Sequence, residues 1–206
     1  MKRRLAFLFA VLACTAPDLR SLPVQKELRQ ILLPGKTWLL EMDLTGFKIG
    51  RSFLGPGGQY KSLQASNPAT GMELSLVSER PPRKGDANTC RDYYWNSTKN
   101  QLAGKIRNAT LTELGHMPAA AYVTRTNENT EKQNVMAFLA TEDAWTHIHL
   151  SRPKAGEWDP LFEEFLKTVR MKRIHSRFYK FLEFIHDVFW YVGWGVQSAP
   201  DPGRVW

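Results

Sequence analysis

Residues 57–79 read GGQYKSLQASNPATGMELSLVSE, and this stretch constrains the fold more than any other. Apolar and polar residues alternate before and after its centre, the period of a strand that buries one face. Between the two runs, Asn67 can bond back to its own backbone, Pro68 presets φ and Gly71 tolerates a positive φ. The stretch predicts an antiparallel hairpin. Once a hairpin is in place, the neighbouring sequence must either extend the sheet or cover it.

Both occur. In KTWLLEMDL, Trp38, Leu40, Met42 and Leu44 alternate with Thr37, Leu39, Glu41 and Asp43, a strand with one strongly apolar side, and GFKIGRSF continues in extended fashion. NATLTEL, AAAYVTRT, NVMAFLATE and WTHIHLSR predict four more short strands, with NENTEKQ as the polar turn between the middle two. Residues 86–103 break the alternation and predict a helix capped by Asp or Asn. In EWDPLFEEFLKTVR, Asp159 can cap, Pro160 suits the first helical position, and Glu163 and Glu164 complement the helix N-terminus. Leu161, Phe162, Phe165, Leu166 and Val169 share one face of that helix at 100° per residue. A second helical stripe runs through Phe178, Phe181, Leu182, Ile185, Val188, Phe189 and Val192 and stops at Gly193 and Gly195. The expected fold class is α+β: one antiparallel sheet of about six to seven strands with helices packed on it, plus a C-terminal amphipathic helix.

The chain opens MKRRLAFLFAVLACTAPDL. Lys2, Arg3 and Arg4 precede nine apolar residues, Leu5 to Ala13. A bilayer-spanning helix needs about 20, so residues 1–16 fit a secretory leader. Val11-Leu12-Ala13-Cys14 resembles a bacterial lipobox, in which Cys14 would carry the lipid. Cleavage after Ala16 is the alternative, and it would leave Pro17 first in the mature chain. Residues 17–35 read as a linker with one short helical turn, 36–173 as the α+β domain, and 174–206 as the aromatic helix and a loose Pro/Gly-rich tail. The expected location is therefore the periplasm, or the extracytoplasmic side of a membrane with Cys14 as tether. Net charge is +8. Without the three cations of the leader the chain is mildly basic, which suits a membrane surface or an acidic partner; no nucleic-acid motif is present. If Cys14 is lipidated or removed, Cys90 has no intramolecular partner, and a buried hydrophobe is its expected role.

Motifs that could carry chemistry are incomplete. GPGGQYKS has Gly55, Lys61 and Ser62 in P-loop register, but Tyr60 replaces the second glycine and a strand follows where a helix should receive the phosphate. G-x-S-x-G is absent. His147 and His149 lie two apart on a strand, so both rings leave the same face beside Trp145. They could chelate Zn or Cu if ligands such as His116, Glu142 or Asp143 converged on them; otherwise they form a polar face opposite Ile148 and Leu150. No cofactor is expected.

The C-terminal region is rich in cations and aromatics. Arg173, Arg177, Phe178, Phe181, Trp190 and Trp194 could form a membrane or partner surface, or the stripe could pack on the domain.

The order of elements (strands, a mid-domain helix, a meander ending in WTHIHLS, a closing amphipathic helix) is similar to the PsbP/Mog1/DcrB-like fold over about residues 36–170. That resemblance implies a small non-catalytic accessory or binding domain of the kind carried by exported bacterial lipoproteins. The expected function is a non-enzymatic cell-envelope protein that binds a protein or small ligand. The alternative is a metal-binding protein or metal-dependent enzyme built on His147 and His149.

Overall fold

The computed structural model describes residues 27–127, 130–154, 156 and 158–174. The leader with Cys14, and the C-terminal stripe with Arg177, Phe178, Phe181, Trp190 and Trp194, lie outside the described residues.

The hairpin of residues 57–79 forms as the sequence predicts: β4 (Tyr60–Asn67) pairs antiparallel with β5 (Met72–Glu79). The Asn67 side-chain oxygen accepts from the backbone N–H of Ala69 at 3.0 Å and of Thr70 at 3.3 Å. Gly71 adopts φ +68° at the close of the turn. Around this hairpin stand β3 (Lys48–Leu54), β6 (Ile106–Leu114), β7 (Met117–Asn127), β8 (Thr130–Ala140) and β9 (Trp145–Pro153). Together they make a seven-stranded antiparallel sheet in the order β3-β4-β5-β9-β8-β7-β6. The glycine-rich residues before β4 form a tight turn at Pro56–Gly58 that feeds a strand.

One expectation was a single sheet, and here the structure differs. Residues 28–32, expected in a linker, form strand β1 (Leu28–Leu32), which pairs with β2 (Trp38–Asp43). On the other side of β2 lies β10 (Arg170–Arg173), giving a separate three-stranded sheet, β1-β2-β10. The helix expected across residues 157–170 is correspondingly short, α2 (Leu161–Leu166). Its apolar face survives, with Phe162, Phe165 and Leu166 buried. It stops because Thr168 turns back: its hydroxyl donates to the Phe165 carbonyl at 2.8 Å and accepts from the Asp43 N–H at 3.2 Å. Arg170–Arg173 can then join the β2 ladder. The polar run expected as a turn after β7 is likewise mostly strand, since Arg125 pairs with Glu131 and Asn127 with Thr130. Its charges are used across the sheet, Lys132 with Glu73 and Glu131 with Lys154, both at 2.9 Å.

The remaining helix, α1 (Ala87–Gln101), is capped as expected, with the Asp86 carboxylate accepting from the Thr89 N–H at 2.8 Å. It packs on β7, β8 and β9. Each face of the seven-stranded sheet therefore has a core. One is Leu63, Leu74, Leu76, Val135, Ile148 and Leu150 against Leu40 and Met42 of β2 and the phenylalanines of α2. The other is Cys90 and Trp95 of α1 against Tyr122, Phe138 and Trp145.

Candidate functional site

Strand alternation fixes where the histidines go. Along β9, Thr146, Ile148 and Leu150 enter the larger core, so Trp145, His147, His149 and Ser151 emerge beneath or beside α1. Both imidazoles do share a face. That face is neither bulk water nor a solvated strip: His147 is only 7% exposed and His149 is partly buried.

His147 packs against the Tyr94 ring of α1, centroid to centroid 4.5 Å. The Tyr94 hydroxyl donates to the Glu79 carboxylate. Burial, and then the Glu79 charge, push the Tyr94 phenol far above its ordinary range. His147 Nδ1 is buried without a hydrogen-bond partner. Burial, with His149 as a second like charge, lowers the His147 pKa to about 3.

His149 sits in a small network. Its Nε2 is 3.2 Å from Asn134 Oδ1 and 3.3 Å from the Tyr122 hydroxyl, and its ring lies parallel to that of Tyr122. The Asn134 amide nitrogen donates to the Lys132 carbonyl at 2.9 Å, an oxygen that can only accept. This fixes the amide oxygen toward His149, so His149 Nε2 carries the hydrogen and donates to Asn134. Burial lowers the His149 pKa to about 4, with Glu73 opposing the shift. Glu73 is itself held low, chiefly by the Lys132 ammonium, and it also accepts from Ser151 at 3.0 Å. Both imidazoles are thus neutral at pH 7 and work as packing and hydrogen-bonding groups.

The other residues considered as ligands do not join them. His116 occupies the turn between β6 and β7 with φ 70°. Glu142 lies 3.6 Å from Arg173, and Asp143 accepts from Thr37 at 3.2 Å, both beside the three-stranded sheet. Among the described residues no group of three His, Cys, Asp or Glu side chains is placed to hold a metal ion. Arg173 ends β10 with its guanidinium 5.9 Å above the Trp38 ring. Cys90 is buried on the sheet-facing side of α1, and burial pushes its thiol up to about 12.

One surface had no sequence signal. Because α1 packs on β7, β8 and β9, among the described residues no helix lies over the same face of β3 and β4 beside it. Phe53, 38% exposed, pairs there with Tyr60 at 6.0 Å, and cross-strand register places Arg51, Ser62 and Gln64 alongside. Finding this patch requires the sheet order, which no local motif encodes.

The fold and this surface define an α+β domain with a half-covered antiparallel sheet. No protein-family model matches the chain, and no curated protein matches it. Two solved structures are similar to the chain at a modest level. One is cyanobacterial PsbP (CyanoP) from Synechocystis, with a TM-score of 0.44 and 13% identity over 70% of this chain and 92% of that one. The other is a crystal structure of a protein from Bacteroides thetaiotaomicron, with a TM-score of 0.44 and 15% identity over 84% of this chain. This chain spans 63% of the Bacteroides protein, less than two thirds of its length.

Proposed function

We propose that this chain is a non-catalytic, exported accessory domain of the cell envelope that binds a protein partner on the open half of its seven-stranded sheet. The observation that carries the reading is the uncovered face of β3–β5 beside α1. It combines an aromatic pair, Phe53 and Tyr60, with an exposed arginine and short hydrogen-bonding side chains. Aromatic and arginine side chains are the residue types that dominate binding energy at protein interfaces. The groups with more reactive chemistry support it too. His147, Cys90 and Tyr94 are occupied in packing α1 to the sheet. Export and tethering rest on the leader and Cys14. Among the described residues no helix is long and apolar enough to cross a membrane.

The test is a pull-down from envelope extracts with the processed protein, alongside Arg51→Glu and Phe53→Ala variants. A protein retained by the wild type and lost with either variant supports the reading; equal retention removes this surface from it. Mass spectrometry of the N-terminus in the same sample reports whether Cys14 begins the mature chain and carries acyl groups.

A second reading, a metal carrier on His147 and His149, is favoured by one observation, the unpartnered Nδ1 of His147. Zinc titration by calorimetry separates the two. Uptake by the wild type that disappears in His147→Ala/His149→Ala supports a metal site, whereas no uptake, or uptake unchanged by the substitutions, removes it.

A further inference from the structure

The pairing of β3 with β4 skips Gly50: Ile49 pairs with Ala65, and Arg51 with Gln64. The skip decides which way the cations of β3 point. In a regular strand, residues three apart leave opposite faces. With one residue bulged out, Lys48, Arg51 and Phe53 share a face, the one that carries Ser66, Gln64 and Ser62 of β4. Leu63 and Ala65 leave the reverse face of β4 and enter the larger core. The floor beside these cations is low and polar. Ser62, Gln64 and Ser75 are half-buried, while Ser66, Lys48 and Arg51 are exposed. Among the described residues none of these side chains has a hydrogen-bond or ion-pair partner. The acids of the same face are already engaged. Glu73 accepts from Lys132 at 2.9 Å and from Ser151 at 3.0 Å, and Glu79 accepts from the Tyr94 hydroxyl. Two cations are left with no carboxylate of the described chain to meet, and the Phe53–Tyr60 pair follows them along the strands.

We propose that the segment by which the protein partner docks is extended and acidic, with two carboxylates seated on Lys48 and Arg51 and an apolar side chain on Phe53 and Tyr60. This rests on the reading that a partner binds this face. Charge complementarity names the acids: Arg51 offers a planar fork that holds a carboxylate bidentately, and Lys48 a point charge beside it. The sheet sets the spacing. Successive side chains on one face of β4 stand about 6.6 Å apart, so an extended chain laid along it meets them in step at every second residue. The expected pattern is acid-x-acid-x-apolar. Strands lie about 4.8 Å apart, so β4 and the near side of β5 give room for an extended chain, whereas a helix with its side chains is about 10–12 Å across. The hydroxyls of Ser62 and Ser66 and the Gln64 amide are free to bond the backbone of that segment.

Dye-labelled peptides carrying Glu-Thr-Glu-Thr-Leu, made in both chain directions, test the assignment by fluorescence anisotropy against the full chain. One direction should bind saturably, and severalfold more weakly in about 1 M salt, where the screening length falls to about 3 Å. Lys48→Gln/Arg51→Gln should weaken it severalfold as well, and Lys48→Glu/Arg51→Glu should turn the preference toward Lys-Thr-Lys-Thr-Leu. Both side chains are exposed, so the urea midpoints of these variants should stay at the wild-type value. Absence of saturable binding, affinity unchanged by the substitutions, or equal binding of a scrambled peptide of the same composition overturns the proposal. Equal binding of a polyphosphate chain also overturns it, by making the surface a general anion site. The pull-down from envelope extracts separates this inference from the reading beneath it. A partner lost with Phe53→Ala but kept by Lys48→Gln/Arg51→Gln overturns the acidic segment and leaves the docking face standing; a partner kept by every variant removes both.

Discussion

Gly115 shows how closely α2 is set against the seven-stranded sheet. It has φ +56°, and a Cβ there would meet the Leu166 carbonyl carbon at 2.6 Å. Gly115→Ala should therefore lose more than about 1 kcal/mol, combining backbone strain with displacement of α2; urea unfolding reads the loss directly. Tyr94 anchors the opposite face. Tyr94→Phe keeps the ring over His147 but leaves the half-buried Glu79 carboxylate without its donor. The expected cost is about 1–3 kcal/mol, measured by the same unfolding experiment. Phe138 of β8, fully buried under Tyr94, should cost about 3–5 kcal/mol on truncation to alanine.

At the scale of elements, α1 keeps its own Cys90 on the face turned to the sheet. The thiol touches the Thr146 carbonyl and is sealed by the helix, so a maleimide should react with it only when α1 lifts. Trp95→Ala, which removes a ring packed on Tyr122 at 5.2 Å, should accelerate labelling of Cys90 at fixed pH without abolishing the far-UV signature of the sheet. The elements that could be read from sequence are those with local signals. Asn67 and Gly71 announce the β4–β5 turn, and Asp86 announces α1, because each bonds to backbone within four residues. Strands β1 and β10 carry no such signal. Arg170–Arg173 has a single apolar residue, Met171, and becomes a strand only because β2 offers it a ladder and Glu41 a counter-charge. That partner lies far away in the chain. The same limit applies to the site. Two-residue spacing was enough to put His147 and His149 on one face, but Tyr122 and Asn134 reach His149 through the strand order β9-β8-β7, and Tyr94 reaches His147 through the packing of α1, both properties of the assembled molecule.

For the whole molecule, the two neutral histidines set an acid limit. Their folded pKa values of about 3 and about 4 lie below the ordinary 6.5. Between those values the unfolded chain binds protons that the folded chain does not, so acid favours unfolding. Stability should be full above about pH 6.5 and fall as pH drops toward 4, by up to about 1.4 kcal/mol per pH unit for each histidine. Urea midpoints at pH 7 and pH 5 check this, and a His147→Phe/His149→Gln variant should show a flatter profile over the same window. Glu41 and Glu73, held low by their lysines, add a further loss at more acid pH, as they protonate below the ordinary carboxylate range.

Among the described residues the seven-stranded sheet ends in two margins, β3 and β6, and each breaks step once. The pairing slips between Ile49 and Arg51 on one side and between Arg107 and Thr110 on the other, where Asn108 takes φ 50°. A straight margin invites another molecule to continue the ladder, and repeated addition is how fibres grow. Here neither rim offers a long straight run, and Lys48 and Arg51 charge one of them. A protein with so much unclosed sheet should thus stay dispersed at concentrations where flat-rimmed sheets would polymerise.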